Sequence, residues 1–480
     1  MIERHLLRHG LVYWVGRMAA RSVSFLTIPL YTTYLHPSDW GALAILLITC
    51  DLAMLIVTCQ LQLAIPRFWA LQPSEEERRR LAGLSLLIPI LLSSCLFLPI
   101  YICPTPLASA LGLPKTAHNL LRITLLTAQL AVLLTMVQTE MRLRDESKLY
   151  AAIEVLQNFS AAAFSIFFLV VLRRGIQGVI LGQLSAFSLL LTLLLPRTLK
   201  RVAPPPDFAV IKQVLNFSLP LVFSSVAMGL VHNVDRYLIQ ALRGLTDVGL
   251  YSVGYKLGTL VNILVLGPFL ILWEPKSFQI AQRQDASLRY GVIFSYLLAM
   301  LVFVAVALTG VSREIVRLMT EQKYWTCEQV VPVVAWSYVF FSLDTVVRMG
   351  LLVHHKTKTL TAIVFITFSV NVLGNIILIP MLGMLGAAWA TLVAFALLLL
   401  LDSSVALRYL PIHFQWRRIA AVASAAALLL CVMRAANGLD MWTAVLAKGS
   451  ALVAYPLLLG LFGFFAPGRI FPTIRRPQLK

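Results

Sequence analysis

With 59% of its 480 residues apolar, 13% charged and a mean hydropathy of +0.84, this chain is excluded from the soluble globular and disordered classes. Its 40 Lys and Arg against 21 Asp and Glu give a formal charge of +19, which in a soluble protein would point to nucleic acid. Here the basic residues gather in short polar segments between apolar runs of about 20 residues, so the charge reads as membrane topology and lipid-headgroup attraction, and a nucleic-acid role is set aside.

In chain order the apolar runs predict helices at about 11–35, 41–66, 83–103, 119–140, 150–172, 176–196, 215–242, 247–272, 289–311, 331–353, 360–380, 384–406, 419–437 and 443–466. Fourteen is the expected count and twelve the alternative. The first run is interrupted by Arg17 and Arg21 and ends without a small-residue cleavage site, so a permanent helix is expected there and not a removable leader.

A cytoplasmic N-terminus puts about 25 Lys and Arg on cytoplasmic segments, among them Arg78-Arg79-Arg80, Arg142, Arg144, Lys200-Arg201, Arg417-Arg418 and Arg475-Arg476. The opposite side then holds about seven: Lys115, Arg173, Arg174, Arg243, Arg313, Arg317 and Lys323. This asymmetry predicts that both termini are cytoplasmic. The longest loop on the other side is expected at about 312–330, which leaves little room for an extramembrane catalytic domain. The six cysteines show no CxxC spacing and mostly lie in apolar runs, so neither a metal nor a functional disulfide is assigned to them.

The Pro-rich basic stretch from Pro196 to Pro206 is expected to end the sixth helix and to link two halves. Each half opens alike, with Asp39-Trp40-Gly41 in the first and Asp247-Val248-Gly249 in the second. The expected architecture is an all-α polytopic membrane protein of two pseudo-repeated six-helix lobes, 1–196 and 215–406, joined by a linker at 197–214 and followed by two additional helices and a tail at 407–480.

Several helices carry polar stripes. The first has Tyr13, Arg17, Arg21 and Ser24 on one face; the second Asp51, Thr58 and Gln62; the fifth Glu154, Asn158 and Ser165. The seventh has Ser225, Gly229, His232 and Arg236 beside Asn233 and Asp235, the eighth Ser252, Lys256, Thr259 and Asn262, and the tenth Ser337, Asp344 and Arg348. Asp344 with Arg348 and Asp235 with Arg236 have the spacing of structural ion pairs. Arg17 and Arg21 have no acid within four residues and Lys256 none nearby in its helix, so these three are candidates for holding an anionic substrate, with Arg236 and Arg348 as further cavity candidates. Guanidinium stays protonated and presents a planar fork that matches phosphate oxygens. Asp51, Glu154, Asp344 and His232 are the candidate ion-coupling residues, although a packed neutral histidine is an alternative for His232. Arg122 and Lys448 lie near predicted helix ends and are expected to reach the headgroups.

Two motif matches are decoys. Gly249 to Lys256 has the glycine spacing of a phosphate-binding loop, but Lys256 is one place late and Leu257 stands where Ser or Thr belongs. Asn158-Phe159-Ser160 is a glycosylation sequon inside a span.

Ile28-Pro-Leu-Tyr-Thr-Thr-Tyr-Leu35 followed by Pro37-Ser-Asp-Trp-Gly-Ala-Leu-Ala44 resembles the end of the first helix and start of the second in the polysaccharide-transport (Wzx-type) flippases. Val234-Asp-Arg-Tyr-Leu-Ile239, Val248-Gly-Leu-Tyr-Ser-Val-Gly-Tyr-Lys256 and Trp273-Glu-Pro275 are similar to a second signature of that family. The resemblance implies membership of the multidrug/oligosaccharidyl-lipid/polysaccharide exporter superfamily, with two helical lobes around a cavity and alternating access. It implies a non-enzyme of the bacterial inner membrane, without cofactor, that moves undecaprenyl-pyrophosphate-linked oligosaccharide from the cytoplasmic to the periplasmic leaflet for O-antigen, capsule or exopolysaccharide. Polysaccharide polymerase and chain-length machinery are the candidate protein partners. A lipid II flippase and a polytopic glycosyltransferase or polymerase remain the alternatives, the latter needing catalytic acids such as Glu314, Glu321 and Glu328 in extracytoplasmic loops.

Overall fold

The computed structural model describes residues 25–113 and 117–465, and no strand occurs among them. Residues 25–34 form a helix, α1. Thirteen further helices are long and apolar enough to cross a membrane: α2 Pro37–Leu71, α3 Glu75–Ile102, α4 His118–Leu143, α5 Lys148–Val171, α6 Gly175–Leu199, α7 Phe208–Arg243, α8 Leu245–Glu274, α9 Ala286–Met319, α10 Gln322–Val353, α11 Thr357–Leu382, α12 Met384–Ala406, α13 Trp416–Ala435 and α14 Trp442–Leu461. The chain is a multi-pass, all-α membrane protein.

Local chemistry sets several boundaries. Pro37 at the first turn and Asp39, whose carboxylate accepts from the His36 backbone N–H at 3.2 Å, start α2. Ser74 caps α3 by accepting from the Glu77 N–H, with Glu75, Glu76 and Glu77 in the positive first turn. Gly244, at φ +90°, closes α7 and lets α8 begin one residue later. Within α2 the helix breaks at Cys59 and Gln60, both at positive φ, before resuming at Leu61.

Two expectations about the connections are corrected. Pro196 does not stop α6, which continues to Leu199; its ring holds a helix-compatible φ, and the helix forgoes only the one hydrogen bond that its missing N–H would have made. Nor is there a long loop at 312–330: α9 runs to Met319, only residues 320–321 connect it to α10, and α10 opens with a tight helical turn at 322–329, so Glu314 lies inside a helix.

The chain packs as two compact units. The first comprises Met1–Lys256, Val316–Val330 and Phe368–Ala390, and so takes in α7 and the first turns of α8. One of its apolar clusters joins Leu86, Leu134, Val137, Ile153, Leu190 and Leu194 from α3 to α6; another joins Leu61, Ile65, Leu84, Val214 and Val222 from α2, α3 and α7. The Pro-rich stretch lies against this unit. A Cβ on Gly83 would sit 2.0 Å from the Ala203 carbonyl oxygen, and the Ala203 N–H donates to the Arg79 carbonyl at 3.0 Å.

An ion-pair network holds the basic segments in place. Glu140, 2% exposed, pairs with Arg144 and lies 3.8 Å from Arg201, while Glu146 takes Arg201 at 2.9 Å and Arg197 at 2.8 Å. Partial burial alone would lower the pKa of Arg144, but hydrogen bonds and attraction from Glu75 and Glu140 outweigh it and hold the guanidinium more firmly protonated than usual.

The second unit comprises Leu257–Ile315, Val331–Thr367 and Thr391–Lys480. Its core holds edge-to-face aromatic pairs such as Trp273 with Tyr290 and Phe294 with Phe414. Lys448 corrects the headgroup expectation: it is fully buried, 2.7 Å from Glu314, and pins α14 to α9. Leu446, Leu457 and Leu461 of α14 are exposed, as side chains facing acyl chains should be.

Where α2 and α8 start, Gly41 and Gly249 let the two backbones touch. A Cβ on Gly41 would fall 1.9 Å from the Leu245 carbonyl oxygen, and one on Gly249 would fall 1.8 Å from that of Pro37. Because backbone cannot yield as a side chain does, Gly41→Ala should destabilise this arrangement by about 3 kcal/mol and visibly lower the unfolding temperature in detergent. Glu140→Gln should cost about 2 kcal/mol in the same assay, less than a fully buried pair because Arg144 and Arg201 keep some water.

Candidate functional site

The two motif regions converge in the first unit. Around a cavity of about 360 Å³ stand Thr27 and Tyr31 of α1; Trp40, Leu43, Ala44, Leu47 and Ile48 of α2; Asn158, Ala161, Ala162 and Ser165 of α5; Val179 and Gln183 of α6; Asn233 and Arg236 of α7; and Ser252 and Lys256 of α8. That volume lies within the range of small-molecule sites.

Close helix approach builds the walls. The glycine crossing fixes Trp40 beside Gly41 and sets Ser252 and Lys256 one and two turns beyond Gly249. On the other wall a Cβ on Gly182 would lie 2.3 Å from the Ser165 N and Oγ, and the Ser165 hydroxyl donates to the Val179 carbonyl at 2.9 Å. This contact draws α6 onto α5 and presents Asn158 and Gln183 to the same space. Thr49 and Tyr237 share a hydrogen bond of 2.9 Å that ties α2 to α7.

Arg236 is 6% exposed, and its position is over-determined. It lies 2.7 Å from Asp235 Oδ1, donates to the His232 carbonyl at 2.5 Å, and stacks 3.8 Å from the Tyr255 ring centre and 5.1 Å from that of Tyr251. The Tyr251 hydroxyl donates to the other Asp235 oxygen. The guanidinium is thus compensated along its own helix while its rim reaches the cavity. Lys256 is half-buried, its Nζ 5.8 Å from the Phe25 ring centre and 5.9 Å from that of Trp40. Among the described residues lining the cavity two are cationic and none is acidic; with Asp235 set behind Arg236, the positive potential on the wall comes chiefly from Lys256.

Of the expected site residues, Lys256 and Arg236 come together here. Arg17 and Arg21 lie outside the described residues. The lining of α2 is corrected: Trp40, Leu43, Ala44, Leu47 and Ile48 face the cavity, whereas Asp51 is exposed and, with Thr58 and Gln62, is not part of the wall. Glu154 and His232 are half-buried and also stand apart from it; both lend backbone carbonyls, to Asn158 at 2.8 Å and to Arg236. Asp344 and Arg348 form the expected i,i+4 pair, at 2.5 Å, in the second unit. Arg122, expected at the headgroups, donates to the Tyr101 carbonyl at 3.0 Å. Sequence reasoning missed Trp40, Tyr31 and Gln183 as wall residues. The first two sit inside the quoted motifs; nothing around Gln183 distinguishes it from a solitary polar residue.

The profile of the family described as polysaccharide biosynthesis protein matches residues 6–280. The chain belongs to that family. All the cavity residues lie within the matched stretch. A search of curated protein sequences returns no match. Among solved structures, the lipid II flippase MurJ in an inward closed conformation is similar over 94% of this chain and 99% of its own, at 14% identity and a TM-score of 0.81. An inward-facing multidrug resistance MATE transporter of the MOP superfamily covers 84% of this chain and 96% of its own, at 13% identity and a TM-score of 0.66. The Vibrio cholerae MATE transporter VcmN, in a point-mutant form, covers 84% and 97%, at 16% identity and a TM-score of 0.58. The fold is like that of MurJ and of these MATE transporters.

Asp235→Asn would leave a buried guanidinium without its countercharge. It should destabilise the protein by about 3 kcal/mol in thermal unfolding, whereas Asn233→Ala, on the cavity rim, should be close to neutral in the same measurement.

Proposed function

We propose that this protein is a non-enzymatic flippase that carries undecaprenyl-pyrophosphate-linked sugar repeat units from the cytoplasmic to the periplasmic leaflet of the bacterial inner membrane by alternating access. The single observation that carries the reading is the composition of the cavity wall, which among the described residues has two cations and no acid, two aromatic faces, and a set of amide and hydroxyl groups. Cations suit a pyrophosphate; Trp40 and Tyr31 offer flat surfaces for the C–H face of a sugar ring; Asn158, Gln183 and Asn233 offer paired donors and acceptors for hydroxyls. Arg17, Arg21 and Ser24 precede Thr27 and Tyr31 at steps of four, three, three and four, the spacing that keeps side chains on one helical face, and on that spacing Arg17 and Arg21 are assigned to the pyrophosphate beside Lys256.

The basic bias of alternate polar segments supports cytoplasmic termini. A polymerase acting on the periplasmic product is the natural partner. Lipid II is the second reading, favoured by the nearly full-length likeness to MurJ, whose name states that substrate.

Leaflet-resolved accumulation of lipid-linked intermediates separates these readings. Without the protein, finished oligosaccharide on undecaprenyl pyrophosphate should build up on the cytoplasmic face; build-up of lipid II instead would support the second reading, and completed units stranded on the periplasmic face would point to a polymerase. Lys256→Ala should lower flipping about tenfold at unchanged protein level, the scale of one lost charge-assisted hydrogen bond, with Lys256→Arg retaining most of it. Arg17→Ala with Arg21→Ala should abolish export, and wild-type surface polysaccharide in that double variant would remove both residues from the site.

A further inference from the structure

In the second unit α10 and α12 bury two carboxylates around one guanidinium. Asp344 is 1% exposed and Asp402 0%. Arg348 Nη2 lies 2.5 Å from Asp344 Oδ2 and 3.6 Å from Asp402 Oδ2, so both carboxylates stand within ion-pair distance of one guanidinium nitrogen. The helices are drawn together here: a Cβ on Gly350 would lie 2.6 Å from the Ala406 carbonyl oxygen, and the rings of Phe341 and Phe395 are 4.9 Å apart.

No described group makes an aligned hydrogen bond to any of the four carboxylate oxygens, and Arg348 Nε and Nη2 likewise lack an aligned acceptor. The charges on the adjoining elements do not fill the gap. Glu274 and Lys276 follow Trp273, whose indole N–H donates to the Thr345 carbonyl at 3.4 Å, and both are exposed. At the helix ends, His354 is engaged with the Gly350 carbonyl and the Tyr409 ring, and Lys356 lies over that same ring. His355 and Arg408 complete the set, and among the described residues Arg348 is the cation within ion-pair distance of either acid.

With both acids ionised the cluster would carry a net charge of −1 away from water, which is strongly disfavoured. Two buried carboxylates that share one cation cannot both be compensated by it, and a proton on one of them supplies both the missing charge and a donor. We propose that Asp344 and Asp402 form a proton-binding site that holds one shared proton, with Arg348 as its fixed countercharge. Loading transfers one proton from water to a carboxylate oxygen and brings the cluster from −1 to neutral; release returns the proton to water and leaves a charge that is relieved when the cluster opens to solvent. The protonation state therefore biases how tightly α10 and α12 meet. That this bias drives flipping rests on the flippase reading above; proton binding does not.

The test uses the full-length protein in lipid nanodiscs without substrate, recording infrared difference spectra between acid and alkaline pH. Wild type should show a band of a protonated carboxylic acid in apolar surroundings that disappears on deprotonation; Asp402→Asn and Asp344→Asn should each lose it, and Arg348→Lys should shift the pH at which it disappears. An unchanged band in both asparagine variants overturns the site. Absence of the band from wild type at every pH overturns the proton. In proteoliposomes, wild-type flipping should vary about tenfold across the same pH interval and Asp402→Asn should be flat; a flat wild-type profile with the band intact overturns the coupling and leaves the proton site standing.

Discussion

A charge enclosed between apolar helices has no bulk water to fall back on, so it survives only beside an opposite charge, an aromatic face or a proton. This constraint organises both units. In the first, Glu140 gathers Arg144 and Arg201 where α3, α4 and α6 meet, and Asp235 neutralises Arg236 between two tyrosine rings. In the second, Glu314 takes Lys448, and Arg348 is shared by Asp344 and Asp402. Each cluster joins segments distant in sequence or fixes one helix face, so charge that would otherwise destabilise the fold specifies its register.

The cavity depends on the same economy of polar atoms. Arg236 can stand at its edge because Asp235, Tyr251 and the His232 carbonyl already hold it. Lys256 is placed near the Phe25 and Trp40 rings and adds positive potential to the wall. The geometry rests on backbone contacts as much as on side chains: without a Cβ at Gly41, Gly249 and Gly182, α2 meets α8, and α6 meets α5, closely enough for Trp40, Lys256, Asn158 and Gln183 to share one space.

Glycine shows how far a linear pattern reaches. The Asp-X-Gly repeat at 39–41 and 247–249 was visible as an echo between two halves, but that the two glycines touch depends on coordinates. The Asp344–Arg348 pair was legible because i,i+4 spacing sets neighbours within one helix; Asp402, 54 residues beyond Arg348, carried no such local signal. Lys448 misled for the same reason: its partner lies 134 residues away.

The sequence by itself determined the class, the approximate limits of most spans, the family motifs and the short-range ion pairs, because hydropathy and helical spacing are properties of contiguous residues. Only the tertiary structure decided which faces line a cavity, that α2 offers Trp40 and aliphatic side chains and not its Asp51 stripe, that Lys448 is buried, and that a third residue joins the Asp344–Arg348 pair. The physical reason is that burial and charge compensation between helices are set by close approaches of backbone, and those approaches pair residues whose separation along the chain carries no information about their distance.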